Sequence, residues 1–218
     1  MRYDLAIFDV DGTLADSFAF FVAVQNRLAL RHGFRRIDPD EVESLRGHSA
    51  REMMRHVGLP RWKLPWVARS FVELVRAEGQ GIALFEGVDE ALRALHERGV
   101  ALAVVTSNAR DNARRVLGEA NWQRLVAAEC GASMFGKRRR IARVIKAARV
   151  PALRAIYIGD QVSDADAARA ADVAFGAVAW GYASRDALLA TRPEVLFERV
   201  AELAALGDAA ERRGDAGG

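Results

Sequence analysis

Two aspartates, one residue apart, close the first apolar run of this chain: Leu5-Ala6-Ile7-Phe8-Asp9-Val10-Asp11-Gly12-Thr13-Leu14. Residues 5–8 are continuously apolar rather than alternating, which predicts a strand buried on both faces of a parallel sheet. While that extended conformation lasts, Asp9 and Asp11 project to the same face. Two carboxylates at the mouth of a buried strand repel and resist desolvation unless a cation or a shared proton relieves them. Two later apolar runs also end in polar residues. Residues 100–105 lead into Thr106-Ser107-Asn108, and residues 155–158 lead into Gly159-Asp160, with Asp164 four positions on. Ligands of open α/β sheets bind beyond the carboxyl ends of the strands, so these three ends are expected on one edge. Four carboxylates converging with hydroxyls and Lys137 form an oxygen-rich site suited to a hard cation, Mg²⁺. No His or Cys of the kind zinc prefers stands at these ends. An Asp-x-Asp-Gly alone is often a turn or a calcium loop, Thr106 and Ser107 alone are ordinary helix caps, and Asp164 alone would merely compensate a helix dipole. Their convergence argues for catalysis.

The elements that must position these residues follow a clear grammar. After Gly12 the pattern predicts a helix over 16–30, with Asp16 or Ser17 as N-cap and Gly33 as its stop. Short helices follow over 39–45, capped by Asp38, and over 49–57, with a capping box between Ser49 and Glu52; a longer one covers 64–77. From Ile82 helices and strands alternate: helix 88–98, strand 100–105, helix 111–118, strand 125–129, helix 137–149, strand 155–158. A helix then opens through a Ser163/Asp166 capping box and runs to Ala171, and a strand covers 173–180. A helix over 184–190, an edge strand over 195–197 and a closing helix over 199–206 complete the chain. Alternation of this kind means a doubly wound parallel sheet of the α/β class with right-handed crossovers. Four helices after the first strand exceed what one crossover needs. They are expected to form an inserted all-helical cap domain, 16–83, over a core made of 1–15 and 84–218.

Composition narrows the class. The 218 residues, 51% hydrophobic and 28% charged, suffice for one well-buried domain plus an insert. No run reaches the roughly 20 apolar residues of a membrane span, and the chain enters its first strand without a signal peptide, so no membrane partner and a cytoplasmic location are expected. A single cysteine, Cys130, excludes an internal disulfide and reads as a small buried hydrophobe. The formal charge of +3 comes from interspersed acids and bases, which argues against nucleic acid as a partner. The densest basic run, Lys137-Arg138-Arg139-Arg140, has no interleaved aromatics. Cations in the first turn of a helix oppose its dipole, a conflict that a bound anion would resolve. Lys137 is expected to face a phosphate while the arginines mostly solvate the outer face.

Taken together, Asp9-Val10-Asp11-Gly12-Thr13-Leu14 with Asp16-Ser17, Val104-Val105-Thr106-Ser107-Asn108, Lys137, and Gly159-Asp160-Gln161-Val162-Ser163-Asp164 resemble the four motifs of the haloacid dehalogenase-like (HAD) hydrolase superfamily. The helical insert, Phe135-Gly136-Lys137 and Val178-Ala179-Trp180-Gly181-Tyr182 resemble its phosphoglycolate phosphatase-like branch, which carries a C1 cap. The resemblance implies a Rossmann-like core and a Mg²⁺-dependent phosphatase acting on a small phosphorylated metabolite through an aspartyl-phosphate. Asp9 would attack phosphorus and Asp11 would act as acid and base. Asp9, the Asp11 carbonyl, Asp160 and Asp164 would serve the metal. Thr106 and Lys137 would hold the phosphoryl oxygens, with Gly12, Ser107 and Asn108 lining the same pocket. An aspartate at the second position argues against dehalogenation, where no alcohol needs a proton. Gln161 departs from the small or hydroxyl residue usual after the motif aspartate, as do Glu86 and Arg138 from the prolines common at their positions.

Substrate choice is expected in the cap. Arg46-Gly47-His48 lies between two cap helices, where Arg46 would meet a substrate carboxylate unless the segment is an ordinary glycine turn. Trp62 and Trp66 are expected in the cap core or at its contact with the body rather than as a substrate platform. The alternatives to a phosphatase are a phosphosugar mutase and a catalytically silent phosphate-sensing or partner-binding protein of the same fold. A monomer or a homodimer is compatible with all of them.

Overall fold

The computed structural model describes residues 3–42, 44–45, 50–78, 81–131 and 136–207. Six parallel strands stand in the order β3-β2-β1-β4-β5-β6: β1 Leu5–Phe8, β2 Ala101–Val105, β3 Leu125–Glu129, β4 Ala155–Gly159, β5 Ala174–Val178 and β6 Val195–Phe197. The first strand is central, pairing with β2 on one side and β4 on the other. The winding direction reverses there, so the carboxyl ends of β1, β2 and β4 border the crevice in which doubly wound sheets bind ligands.

The pleat sorts the apolar runs between two cores. Ala6 and Phe8 join Leu102, Val104, Ile156 and Ile158 on one face. That face is covered by α4 (Val88–Glu97) and by a closing helix over Val200–Gly207 that is 3-10 rather than α. Leu5 and Ile7 join Ala103, Val105, Ala155 and Tyr157 on the other face, beneath α6 (Lys137–Ala148), α7 (Val162–Ala170) and α8 (Arg185–Ala190). Leu92 and Leu95 of α4 are fully buried; each contributes about 1.5–3 kcal/mol relative to exposure. α5, Arg110–Arg124, extends past the expected stop because Gly118 breaks the helical geometry locally and a second segment continues to the strand.

Between β1 and α4 the chain is helical: α1 Phe18–His32, α2 Ala50–His56 and α3 Leu64–Glu78, with short 3-10 turns over Pro39–Glu41 and Arg61–Lys63. Gly33 ends α1 in the left-handed region, at φ 65°. These helices bury two small clusters of their own, one around Val24, Leu28 and Val67 and one around Ile37, Leu45 and Val57. Asn26 clamps the second by exchanging two hydrogen bonds with the Ile37 backbone, at 2.9 and 2.7 Å. The block leaves and returns at one place: Asp16 N–H donates to Ala83 O and Phe85 N–H to Leu14 O, both at 2.9 Å.

Several expectations are corrected. Trp62 and Trp66 are 67% and 60% exposed, so they belong to neither a cap core nor a contact with the body; inward on α3 stand Val67 and Ser70, the latter bonded to His32 at 3.0 Å. The capping pair of α7 is Gln161 with Asp164, not Ser163 with Asp166. Cys130 is only half-buried. The proposed Ser49/Glu52 box lies outside the described residues, because Ser49 does. No described helix is long and apolar enough to cross a membrane.

Candidate active site

The extended conformation of β1 stops at Phe8, and the chain then reverses. The N–H groups of Leu14 and Ala15 both donate to the Val10 carbonyl, at 2.9 and 2.8 Å, and Gly12 adopts φ 78°. Asp9 and Asp11 therefore part company instead of sharing a face. Asp9 keeps the parity of Leu5 and Ile7, toward α6. There its Oδ2 accepts from Lys137 Nζ at 2.7 Å and its Oδ1 from the Val10 N–H at 2.8 Å. Asp11 Oδ2 accepts from Asn108 Nδ2 at 3.3 Å, while Oδ1 is buried with no hydrogen-bond partner among the described residues. Burial, and then the charge of Asp9, push the Asp11 carboxyl up to about 6 against the opposing pull of nearby Ser17 and Asn108. Such a group is poised to hold a proton near neutral pH and to release it.

Lys137 is the first residue of α6. Burial alone would pull its ammonium down, but Asp9, Tyr157 and Asp164 together outweigh burial and keep it charged. It bonds Asp164 as well as Asp9 and sits 5.5 Å from the centre of the Tyr157 ring. The macrodipole conflict read from the sequence is thus met by two carboxylates of the site itself. Arg138 and Arg139 are exposed, in line with arginines that mostly solvate the outer face, whereas Arg140 departs from that expectation. It is only 7% exposed, and its guanidinium donates to the Thr106 carbonyl at 3.0 Å, fixing the end of β2. Lys137, Arg140, Ile141 and Val144 stand at helical spacing on the inward face, a signal present in the sequence.

The end of β4 contributes the rest. Asp160 and Asp164 are fully buried. Asp160 accepts from Thr13 Oγ1 at 3.1 Å and from the Tyr182 N–H at 2.8 Å, while Asp164 accepts from the Gln161 N–H at 3.0 Å. Glycines permit the crowding: a Cβ on Gly12 would lie 2.3 Å from Asp160 Oδ2, and one on Gly181 would lie 2.2 Å from Asp160 Cβ. One ligand oxygen each from Asp9, Asp160 and Asp164 can be chosen so that all lie within 4.8 Å of one another. Burial pushes both Asp160 and Asp164 upward, their carboxylate neighbours add to this, and Lys137 opposes it at Asp164. Three buried carboxylates against one lysine are what a hard divalent cation would relieve, and an all-oxygen donor set matches Mg²⁺.

The structure thus brings Asp9, Asp11, Gly12, Thr106, Asn108, Lys137, Asp160 and Asp164 to one sheet edge. Thr106 is buried and its hydroxyl accepts from the Asn108 N–H at 3.0 Å; Ser107 is exposed at the same turn. Arg46 lies outside the described residues, as do His48 and Phe135. Sequence reasoning missed Thr13, Arg140 and the backbone of Tyr182, whose hydroxyl also bonds Ser17 at 2.7 Å. Trp180 locks the same turn by donating from Nε1 to Thr13 O at 3.0 Å.

The model of the haloacid dehalogenase-like hydrolase family matches residues 6–178, a span that holds Asp9, Asp11, Thr106, Lys137, Asp160 and Asp164. The chain belongs to that family. Among its relatives, the phosphoglycolate phosphatase of Synechococcus elongatus is 32% identical over 201 residues, covering 90% of this chain and 93% of that protein. The tyrosine-protein kinase PtkA of Mycobacterium tuberculosis is 33% identical over 192 residues, 84% of this chain but 64% of that protein. In three dimensions, the solved structure of a haloacid dehalogenase-like hydrolase from Streptococcus pneumoniae superposes with a TM-score of 0.82 at 19% identity, over 93% of this chain and 97% of that one. The family's fold is therefore that of the whole chain, insert included.

Proposed function

We propose that this family member is a Mg²⁺-dependent phosphomonoesterase that works through an aspartyl-phosphate on Asp9. The observation that carries the reading is the split of the two N-terminal aspartates, one ion-paired beside two further buried carboxylates and one raised to about 6 with an oxygen left without a hydrogen-bond partner among the described residues. In the first half-reaction an Asp9 oxygen forms a bond to phosphorus while the bond from phosphorus to the ester oxygen breaks. Asp11 gives its proton to the departing alkoxide. In the second, Asp11 takes a proton from water as the water attacks the acyl phosphate, freeing inorganic phosphate and regenerating the Asp9 carboxylate.

An anionic nucleophile approaches a dianionic ester only if charge is compensated. Lys137 and the Thr106 turn supply part of that, and Mg²⁺, held by Asp9, Asp160 and the Asp11 carbonyl with Asp164 close by, would supply the remainder by neutralising phosphoryl oxygens. Arg140 holds the Thr106 turn in place. The helical segment 16–83 serves as the cap that screens the site from water. The phosphoglycolate phosphatase of Synechococcus puts phosphoglycolate among the esters to be tested and leaves the substrate class open.

The test is hydrolysis of p-nitrophenyl phosphate and a panel of phosphometabolites with and without Mg²⁺. Release of phosphate that requires Mg²⁺ and disappears in Asp9→Asn is expected. Isomerisation of a sugar monophosphate without phosphate release would replace the hydrolase reading with a mutase. Phosphate binding without turnover would make the chain a sensor.

A further inference from the structure

A cavity of about 300 Å³ lies between the helical block and the sheet edge. Its walls are Phe18, Phe21 and Val22 of α1, Leu45, Met53 of α2 and Phe71 of α3; its floor is Gln161 and Tyr182. The floor is bonded to the site itself. The Tyr182 N–H holds Asp160 at 2.8 Å and the Gln161 N–H holds Asp164 at 3.0 Å, so two residues that line the cavity also hold the carboxylate cluster. Its aromatic lining is continuous: Phe18 packs on Tyr182 at 5.2 Å between ring centres, and Phe21 stacks on Phe71 at 5.9 Å and 15°. Among the described residues that line it there is no cation, and its polar groups are the amides of Gln25 and Gln161 and a Tyr182 hydroxyl already bonded to Ser17. At about 30 Å³ per water the space equals about ten waters, several times what a two-carbon group fills. A carboxylate placed there would lose hydration, and no described residue of the lining offers it a charged partner.

We propose that this chamber receives the leaving group of the substrate and selects an apolar one, a medium alkyl or benzyl group, over a carboxylate-bearing one. The inference rests on the phosphatase reading above and names the substrate class that reading leaves open. Chemically it requires nothing new, since the alcohol leaves with the proton of Asp11 whatever its chain carries.

A homologous series tests it without altering the protein. Ethyl, butyl and hexyl phosphate are compared with phosphoglycolate, and p-nitrophenyl phosphate serves as the reference for basal turnover. The expected result is a rise in kcat/KM of about fourfold per methylene, the equivalent of about 0.8 kcal/mol for each buried CH₂, with phosphoglycolate below butyl phosphate. Phe71→Ala, at a ring 36% exposed on the rim, is expected to lower kcat/KM for hexyl phosphate about tenfold more than for ethyl phosphate. A flat series, phosphoglycolate exceeding hexyl phosphate, or equal losses in Phe71→Ala would overturn the chamber's role while p-nitrophenyl phosphate turnover upheld the phosphatase. Absence of turnover for every ester would bring down both.

Discussion

Replacing Lys137 by methionine keeps most of the apolar stem and removes the ammonium with its N–H donors, leaving two carboxylates without their part-buried cation. The Nζ to Asp9 Oδ2 separation is 2.7 Å, and Asp164, the second partner, has no exposed side-chain surface. At an effective dielectric constant of about 20, a unit pair at that distance is worth about 6 kcal/mol. Desolvation of the partners takes back several kcal/mol, and removing one member of such a pair costs about 3–5 kcal/mol because the other is left uncompensated. We therefore expect Lys137→Met to lose about 3–5 kcal/mol in urea unfolding at pH 7.5 with a chelator present, with the slope unchanged. Asp164→Asn alone should cost about 1–3 kcal/mol, since the amide oxygen still accepts from the Gln161 N–H. The double variant should fall short of the summed losses by about 1–3 kcal/mol, because the carboxylate orphaned by the first change is neutralised by the second. A loss below about 1 kcal/mol for Lys137→Met, or additivity within about 0.5 kcal/mol, would refute the view that this lysine compensates buried charge.

The folded protein holds on Asp11 a proton that the unfolded chain releases above its ordinary value of 3.8, so this group's contribution to stability falls as pH rises through about 6. Lowering the pH from 7 to 4.5 without metal should therefore stabilise the wild type by about 2 kcal/mol more than Asp11→Asn; equal pH responses in parallel unfolding curves would contradict the shift. Gly181→Ala must displace Asp160 or the Gly12 carbonyl, since its Cβ would lie 2.2 and 2.6 Å from them. Overpacking of that kind costs about 1–3 kcal/mol, and metal affinity measured by calorimetry should fall with it, an unchanged affinity speaking against the cradle. Arg140→Met leaves the Thr106 carbonyl without its buried donor and should cost about 1–3 kcal/mol while raising KM for phosphate esters; a KM equal to wild type would separate Arg140 from the site.

Much of this arrangement is legible in the chain because strands buried on both faces cannot hide their ends: an apolar run that stops at a carboxylate must stop at the sheet edge. Asp9, Thr106 and Asp160 were readable for that reason, and Lys137 because a cation in the first turn of a helix demands an anion. The divergence of Asp9 from Asp11 was not, since it follows from the reversal at Gly12, and the alternation rule holds only while the backbone stays extended. Tyr182 acts on Asp160 through its backbone N–H, a group every residue but proline carries. Over residues 61–78 the sequence misled outright. Trp62 and Trp66 carry the hydrophobic weight, yet the buried positions among the described side chains are Val67, Ser70 and Val75, the serine satisfied by His32. Apolarity can predict burial only where a neighbour exists to cover it.

The two backbone rungs at Leu14 to Phe85 and Asp16 to Ala83 give the helical block an independent future. They close the excursion at its base, so the sheet on either side receives the same strand geometry whatever length of chain lies beyond them. Since each doubling of a loop costs only about 0.6 kcal/mol in closure entropy, segments of quite different size could be exchanged above these rungs while Asp9 keeps its place. The carboxylate cluster is thereby insulated from changes above the rungs, and selection can rebuild the walls of the cavity without disturbing Asp9.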